Sequence, residues 1–277
     1  MTLKRLAAVV LNRVFRDQTY TVRHGLAKGL KRRGGLAFLP AVLTVAPKRA
    51  PEERFLSNLE LEGKTVFDVG ADQGTYTLFF ARRVGEHGRV VTFEPNPESH
   101  RRIVANVELN GLRNVEVRRL GLGAEKQTST LVFPVGEPAR GSAEPRILAQ
   151  ILRETNARVV QVELDSLDAQ IAGAGLPLPE LVKIDVEGLE MDVLRGMTET
   201  LRTRRPALFV EVHGADTQSK DDNARQLASF LLDFEYDLLH VESGEAITLA
   251  NVATARRGHL YCTPRPGRAT QPARDLG

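Results

Sequence analysis

The chain has 277 residues, of which 42% are hydrophobic and 26% are charged, as in an ordinary soluble protein with a sizeable core. Its single cysteine excludes an internal disulfide framework and a cysteine-built zinc site, and the cytoplasm is the default compartment. The sequence has no apolar run near the roughly 20 residues of a membrane-spanning helix.

Charge is unevenly distributed along the chain. Residues 1–50 carry a net charge of +10 and residues 51–277 a net charge of −7. The basic segment is interpreted either as a solvated helical cap or as an arm that contacts a membrane surface or an anionic, phosphate-bearing substrate. Nucleic acid is disfavoured as a partner because the segment has few aromatic residues on which bases could stack.

The first fifty residues and the last fourteen are predicted to flank a single α/β domain. Residues 2–16 have apolar side chains at helical spacing, which predicts an amphipathic helix. Residues 23–35, rich in glycine and basic residues, are predicted to form a loop, and Pro51 lies near the start of a short helix. We therefore expect a basic helical extension over residues 1–50, the main domain over residues 51–263 and a disordered tail over residues 264–277.

Strands and helices alternate from residue 64 onward. Strands are predicted at residues 65–69, 89–94, 115–123, 181–188 and 206–213. Helices are predicted after Gly74 and at residues 95–110, 189–203 and 221–234. Residues 129–135 and 158–164 are predicted to form an added hairpin, and residues 259–264 a closing edge strand. This alternation favours a mostly parallel sheet with helices on both faces, whose ligands bind outside the carboxyl ends of the strands.

The end of the first strand carries the first functional pattern. The strand reaches Asp68 and then turns through Gly70, Asp72 and Gly74 into a helix. Glu94 ends the next strand, at a position where an acid commonly accepts hydrogen bonds from the hydroxyls of a ribose. Asp72 stands where a dinucleotide-binding turn has its second glycine, and a pyrophosphate would meet the carboxylates of Asp68 and Asp72. The pattern therefore favours a cationic nucleoside such as S-adenosylmethionine.

The fourth and fifth strands carry ionisable residues where a buried strand is normally apolar. Lys183, Asp185 and Glu187 alternate along one strand, and Glu211 and His213 share a face of the next. Lys183 is predicted to pair with Glu211, because unpaired buried charges are costly. Asp185, Glu187 and His213 are candidates for the catalytic base, in no fixed order, although Asp185 could cap a turn and His213 could be structural. Asp185 and Glu187 could bind a divalent metal ion, but carboxylates at this spacing are too common to predict one.

Taken together, these motifs resemble the FkbM family of S-adenosylmethionine-dependent methyltransferases over roughly residues 51–240. The resemblance depends on "VFDVGADQGTYTLFFAR", "VVTFEPNPE", "NVELNGLRNVEV", "VELDSL", "LVKIDVEGLEMDVLRGM" and "RPALFVEVH", in that order. It implies a class I, Rossmann-like, seven-stranded and mostly parallel sheet with a reversed last strand. It also implies methyl transfer, usually to oxygen and usually on sugars, glycans or natural products.

By motif matching, the resemblance also implies the site residues. Those around the methionine part of the cofactor are Asp68, Gly70, Ala71 and Gly74. Those around the ribose are Glu94 and Asn96, those near the adenine include Gly121 and Leu122, and those bordering the methyl group are Asp185 and Glu187. We expect a cytoplasmic enzyme that O-methylates a saccharide or small molecule. The alternatives are an RNA or protein methyltransferase guided by the basic arm, and a nucleotide-binding oxidoreductase or non-catalytic binding module.

Overall fold

The computed structural model of the chain describes residues 18–33, 49–135, 141–154 and 156–266. The amphipathic helix predicted over residues 2–16 and the tail beyond residue 266 lie outside these ranges. Within them, none of the helices combines the length and the apolar character needed to span a membrane.

In the described residues, the strands form a main sheet of eight, a second sheet of three and a two-stranded hairpin. The main sheet contains β3 (Thr65–Val69), β4 (Arg89–Phe93), β5 (Val115–Arg118), β9 (Leu181–Ile184), β10 (Ala207–Glu211), β11 (Tyr236–His240), β12 (Glu245–Ile247) and β13 (His259–Pro264). The second sheet contains β6 (Gly121–Leu122), β7 (Gln127–Pro134) and β8 (Ala157–Asp165). The hairpin contains β1 (Thr19–Thr21) and β2 (Lys31–Arg33).

Helices connect most of these strands. They are α1 (Pro51–Ser57), α2 (Thr75–Val84), α3 (Pro97–Leu109), α4 (Pro145–Glu154), α5 (Leu167–Ala174), α6 (Glu190–Arg195), α7 (Thr198–Thr203) and α8 (Thr217–Asp233). The start of α3 confirms its sequence signal, because the Asn96 side chain accepts a hydrogen bond from the Glu98 N–H and Pro97 is the first helical residue.

The main sheet has the order β12-β11-β13-β10-β9-β3-β4-β5. The five strands β3, β4, β5, β9 and β10 run parallel, whereas β13 is antiparallel to both β10 and β11. The mostly parallel sheet with a reversed last strand is therefore confirmed. The seven implied strands are joined by an eighth, the three-residue edge strand β12, which extends the sheet by pairing with β11.

The strand predicted over residues 115–123 is divided between two sheets. Residues Val115–Arg118 pair with β4, whereas Gly121 and Leu122 pair with β8 in the second sheet. The predicted hairpin of residues 129–135 and 158–164 is confirmed as β7 and β8, which pair antiparallel along their whole length. Residues of all three strands of this second sheet line the same cavity as the carboxyl ends of β3, β4, β9 and β10.

The helix predicted over residues 189–203 is broken into α6 and α7. At Gly196, an added Cβ would lie 2.0 Å from the backbone oxygen of Gly123, so the chain passes another backbone at close range. The Asp168 carboxylate then accepts hydrogen bonds from the N–H groups of Glu199 and Thr200, which caps α7 from outside the helix. A cap supplied by a distant residue leaves no local sequence signal.

The prediction that residues 23–35 form a loop is wrong for Lys31–Arg33, which pair with Thr19–Thr21. Two side chains of α3 hold the second strand of this hairpin. Asn106 accepts a hydrogen bond from the Arg33 N–H, and Asn110 bonds both the N–H and the carbonyl oxygen of Lys31. The hairpin therefore packs on the α/β domain.

The core lies on both faces of the main sheet, because successive strand residues point to opposite sides. One buried cluster contains Phe67 and Val69 of β3 together with residues of α8, and the other contains Val66 together with Phe79 and Phe80 of α2. The chain's single cysteine, Cys262, is fully buried in β13.

Candidate active site

A cleft of about 260 Å³ opens at the carboxyl ends of β3, β4, β9 and β10. Its opposite wall comes from the second sheet. Eight of the sequence-predicted site residues line it: Gly70, Glu94, Asn96, Gly121, Leu122, Asp185, Glu187 and His213. The rule that α/β sheets bind ligands at this edge therefore places most of the predicted residues together.

Gly70 brings two sides of the cleft into contact. Its φ is 76°, and an added Cβ would lie 1.8 Å from the carbonyl oxygen of Asp185. Its N–H donates to the Phe93 carbonyl oxygen at 3.0 Å. Both the left-handed backbone and the close approach require glycine at this position, so the loops that follow β3 and β9 meet directly.

Three predicted cofactor residues lie behind the cleft wall instead of lining it. Asp68 is fully buried and accepts a 2.6 Å hydrogen bond from the Thr77 hydroxyl. Ala71 packs in a buried apolar cluster with Ile103, and Gly74 has a φ of 79° at the start of α2. These residues build the turn on which the lining residues depend.

Lys183 does not pair with Glu211, so that prediction is wrong. Its Nζ lies 3.3 Å from Asp68 Oδ1 and 3.2 Å from Asp185 Oδ2, and it donates to the Gly70 carbonyl oxygen at 2.8 Å. Burial by itself would lower the pKa of Lys183, but the two carboxylates outweigh it and raise the pKa above its usual value. The charge of Asp68 is therefore balanced inside the protein and does not face the ligand.

Glu94 and Asn96 form a polar pair suited to a ribose. The two carboxylate oxygens of Glu94 each accept one backbone N–H at 2.8 Å, from Asp72 and from Asn96. Burial nevertheless raises the pKa of Glu94 to about 8. The Nδ2 group of Asn96 is buried and has no hydrogen-bond partner among the described residues. An acceptor beside an unused buried donor fits a diol, which both donates and accepts.

Asp72 faces the same end of the cleft from a strained backbone, with a φ of 48°. Its carboxylate accepts a 3.3 Å hydrogen bond from the Ser99 hydroxyl, and burial raises its pKa. Arg32 of β2 reaches this turn, donating to the Thr75 hydroxyl at 3.0 Å and to Gln73. No sequence pattern indicates this contact, because Arg32 precedes the turn by some forty residues and stands among other basic residues.

The second sheet gives the cleft an apolar wall. Leu131, Val162 and Leu164 of β7 and β8 line it beside Gly121 and Leu122 of β6. Such a surface suits a planar base such as adenine. The β7 and β8 residues were not predicted as site residues, although the strands themselves were.

At the other end of the cleft, His213 lies among four carboxylates. Its Nδ1 is 2.9 Å from Glu190 Oε1, and its Nε2 is 3.6 Å from Glu211 Oε1, 3.7 Å from Glu187 Oε2 and 3.8 Å from Asp185 Oδ1. Burial would lower the pKa of His213, but the bond to Glu190 and the surrounding negative charge raise it to about 10. The imidazole is therefore protonated at neutral pH when these groups alone surround it.

The pKa of Glu187, whose backbone has a left-handed φ of 52°, is also raised. Burial raises the pKa of its carboxyl to about 7, and the charge of His213 opposes the rise. Glu190, by contrast, is almost fully buried and also accepts the Gly188 N–H at 3.0 Å. Glu190 was not predicted as a site residue; its only signal was the last position of the K-I-D-V-E-G-x-E motif.

Comparison with known proteins gives a match over most of this cleft. A family model described as the methyltransferase FkbM domain matches residues 68–238. Methyltransferase 1 of Beauveria bassiana is 30% identical over 148 residues, which cover 48% of this chain and 58% of that protein. Hexuronic acid methyltransferase AglP of Haloferax volcanii is 26% identical over 160 residues, which cover 58% of this chain and 60% of that protein.

The chain thus spans less than two thirds of the length of these two relatives. Among solved structures, methyltransferase FkbM from Methylobacillus flagellatus superposes with a TM-score of 0.47 at 16% identity, over 75% of this chain and 45% of that one.

Proposed function

The chain belongs to the FkbM family of S-adenosylmethionine-dependent methyltransferases, and we propose that it transfers the methyl group to a hydroxyl oxygen of a sugar, glycan or small natural product. The observation that carries this proposal is the arrangement of the cleft. A ribose-binding pair, Glu94 and Asn96, lies toward one end, and a carboxylate–imidazole cluster lies toward the other. Membership of this family argues against the oxidoreductase alternative.

The cleft fits the cofactor. Glu94 and Asn96 offer an acceptor and a free donor to the ribose, and the apolar wall beside Leu122 and Leu164 suits the adenine. When bound, S-adenosylmethionine supplies an electrophilic methyl group on a positively charged sulfur. The carboxylates of Asp72 and Asp185 keep the cleft negative, although Lys183 balances part of that charge.

Hydrogen-bond acceptors dominate the region around His213. This favours a hydroxyl-rich substrate as the molecule that receives the methyl group. Asp185, Glu187 and Glu211 all line the cleft there, and ionised carboxylates accept hydrogen bonds without donating any. The relative from Haloferax volcanii, described as a hexuronic acid methyltransferase, supports a sugar acceptor. Repulsion from the three carboxylates favours a neutral sugar over an acidic one.

Glu187 is the residue best placed to remove the hydroxyl proton. It lies on the cleft wall, and its carboxylate oxygen is 3.7 Å from the nearest nitrogen of His213, beyond hydrogen-bond distance. A carboxyl with a pKa of about 7 is matched to proton abstraction at neutral pH. His213 in its protonated form has no free lone pair, so in the free protein it balances charge and holds the carboxylates in position.

The proposal is tested by incubating the purified chain with methyl-labelled S-adenosylmethionine and a panel of neutral sugars, uronic acids, lipid-linked sugars and hydroxylated metabolites. We expect label to appear as a methyl ether on a neutral hydroxyl-bearing acceptor. Label found on RNA or protein instead, or only on nitrogen, would contradict it.

A second experiment addresses the assigned base. Glu187→Gln keeps the shape of the side chain, and we expect it to lower kcat by roughly 10²–10⁴-fold while cofactor affinity changes little. Glu163→Gln, an exposed carboxylate on β8, is the matched control and retains activity. Near-normal turnover by the Glu187 variant would remove that residue from the mechanism.

A further inference from the structure

Three side chains in the region of His213 present possible metal ligands close to one another. We call this part of the cleft its acceptor end, because the methyl acceptor is proposed to bind there. The three side chains are Asp185, Glu211 and His213, and one ligand atom from each lies within 4.8 Å of the other two. The His213 Nε2 is 3.6 Å from Glu211 Oε1 and 3.8 Å from Asp185 Oδ1, so neither contact is a hydrogen bond. Ligand atoms about 2.1 Å from a shared cation lie about 3.0–3.4 Å apart, so the three side chains would have to move closer together to share one cation.

The outward-facing atom of each of these side chains is held by another residue. Glu190, almost fully buried, holds Nδ1 of His213 at 2.9 Å, which leaves Nε2 directed into the cluster. Lys183, also buried, lies 3.2 Å from Oδ2 of Asp185, which leaves Oδ1 facing His213. A carboxylate behind a ligating histidine is the arrangement that fixes the ring and its tautomer in metal sites.

Glu211 is held in the same way from the opposite side. Its Oε2 lies 3.4 Å from Nε2 of His259, whose Nδ1 is 2.7 Å from Oε1 of Glu242. The Oε1 atom of Glu211 is the one that faces His213. Among the described residues, the three outer atoms therefore lie 2.9–3.4 Å from a partner, whereas Nε2 of His213 lies 3.6–3.8 Å from the two inner carboxylate oxygens and the three inner atoms make no hydrogen bond.

We propose that Asp185, Glu211 and His213 bind one divalent transition-metal cation at the acceptor end of the cleft. Two carboxylates and one neutral imidazole balance a charge of +2, and the cation displaces the proton of His213 on binding. The imidazole suits Zn²⁺ and the two carboxylates suit Mn²⁺, whereas Mg²⁺ and Ca²⁺ prefer sites built from oxygen ligands alone. The positive charge of Lys183, 3.2 Å from Asp185, opposes the binding of a cation.

The role of the cation in the reaction rests on the proposed function. A hydroxyl oxygen of the acceptor coordinates the cation, which lowers the pKa of that hydroxyl. The O–H proton passes to Glu187, and the oxygen lone pair forms the new bond to the methyl carbon as the carbon–sulfur bond breaks. The coordinating residues are thus separate from the residue that takes the proton.

Binding is tested without methyl donor or acceptor, so that its failure can be told apart from failure of the proposed function. The full chain is stripped with a chelator and titrated with Mn²⁺, followed by calorimetry and by electron paramagnetic resonance of the remaining free ion. We expect one ion per chain, competition by Zn²⁺ and at least tenfold weaker binding of Mg²⁺. The absence of saturable binding of Mn²⁺ and of Zn²⁺ would overturn the proposal.

Variants then locate the ion. His213→Ala and Glu211→Gln should each abolish stoichiometric binding, and His259→Ala should weaken it by about 10–100-fold because it only orients Glu211. His87→Ala, at an exposed histidine, and Glu52→Gln, in a second cluster with Glu242 and His259, should leave it unchanged. Circular dichroism and thermal melting without any ligand check that each variant is folded. Undiminished binding by both the His213 and Glu211 variants would place the ion elsewhere and refute the site.

Discussion

Glu94 is a buried carboxyl whose protonation should make cofactor binding depend on pH. With a pKa of about 8 in the free protein, it is mostly protonated at pH 7, but its ionised form accepts hydrogen bonds from ribose hydroxyls best. We expect affinity for S-adenosylmethionine to rise between pH 6.5 and pH 8.5, with release of a proton at pH 7. Calorimetry in two buffers of different ionisation enthalpy measures this release.

The raised pKa of Glu94 also makes the free energy of unfolding depend on pH. Because the folded pKa of Glu94 lies above its usual value of 4.5, its contribution to stability is fully present below pH 4.5 and is lost as pH rises through 8. Glu94→Gln should therefore bind the cofactor weakly at every pH, and its unfolding free energy should fall less with pH. Glu108→Gln, at an exposed position in α3, is the control. Cofactor affinity that does not change with pH would contradict this account.

Gly70 should be among the positions least tolerant of a methyl group. Gly70→Ala combines a left-handed φ with a 1.8 Å approach to the Asp185 carbonyl oxygen, and we expect a loss of roughly 2–5 kcal/mol of unfolding free energy. Gly63 has nearly the same φ, 74°, but open space around it. Gly63→Ala should therefore cost only about 1–2 kcal/mol, and equal losses in chemical denaturation would remove the steric argument.

At the level of single residues, the sequence identified most of the cleft because parallel strands end at one edge. Glu94, Asp185 and His213 could be found because a charged residue at the end of an apolar strand is conspicuous. The partner of Lys183 could not be found in this way. The choice between Asp68 and Glu211 depends on the order of strands beside β9 and on how far each side chain reaches. Glu190 was missed since a glutamate at the start of a helix normally indicates only favourable placement at the helix dipole.

At the level of elements, local signals predicted the strands that stay within one sheet. They did not predict the places where the chain passes from one sheet to another or where a helix is interrupted. Residues 115–123 alternate apolar residues with others like a single strand, and nothing local shows that the chain leaves the main sheet after Arg118. The break between α6 and α7 is likewise imposed from outside, by Gly123 and Asp168. The prediction of a loop over residues 23–35 missed the strand Lys31–Arg33, because glycine and basic residues in this stretch favour a loop.

The external cap of α7 can be tested directly. Asp168→Ala removes the acceptor of the Glu199 and Thr200 N–H groups and of the Thr200 hydroxyl, so we expect a loss of about 1–2 kcal/mol in unfolding free energy. Asp192→Ala, in an exposed i,i+3 ion pair with Arg195, should change stability by no more than about 0.5 kcal/mol. If the two variants are equally stable in denaturant titrations, the cap is not significant.

At the level of the whole molecule, the mostly parallel sheet with its reversed last strand and the position of the cleft were predictable from the β–α alternation and from the family resemblance. The contribution of the N-terminal segment to the domain was not predictable, since the sequence of residues 1–50 indicates only an appendage or a binding arm. In the structure, the hairpin within that segment contacts α3 and places Arg32 beside the turn that carries Asp72. Part of the segment thus packs on the domain beside the turn that carries Asp72.

Arg32 gives the corresponding experiment. Arg32→Ala loses its hydrogen bonds to Thr75 and Gln73, and we expect about 1–2 kcal/mol less stability together with weaker cofactor binding measured by calorimetry. Lys28→Ala removes the same charge from the same hairpin at an exposed position. It should affect neither quantity, and equal effects of the two changes would mean that net charge alone matters.

The burial of Cys262 has a practical consequence for all of these measurements. The chain contains no tryptophan, so intrinsic fluorescence offers little with which to follow unfolding. A lone thiol sealed between β10 and β11 can react with a maleimide or an aromatic disulfide only when the sheet opens. Its labelling rate is therefore a built-in reporter of opening, and one reagent can rank the whole variant series without an introduced dye.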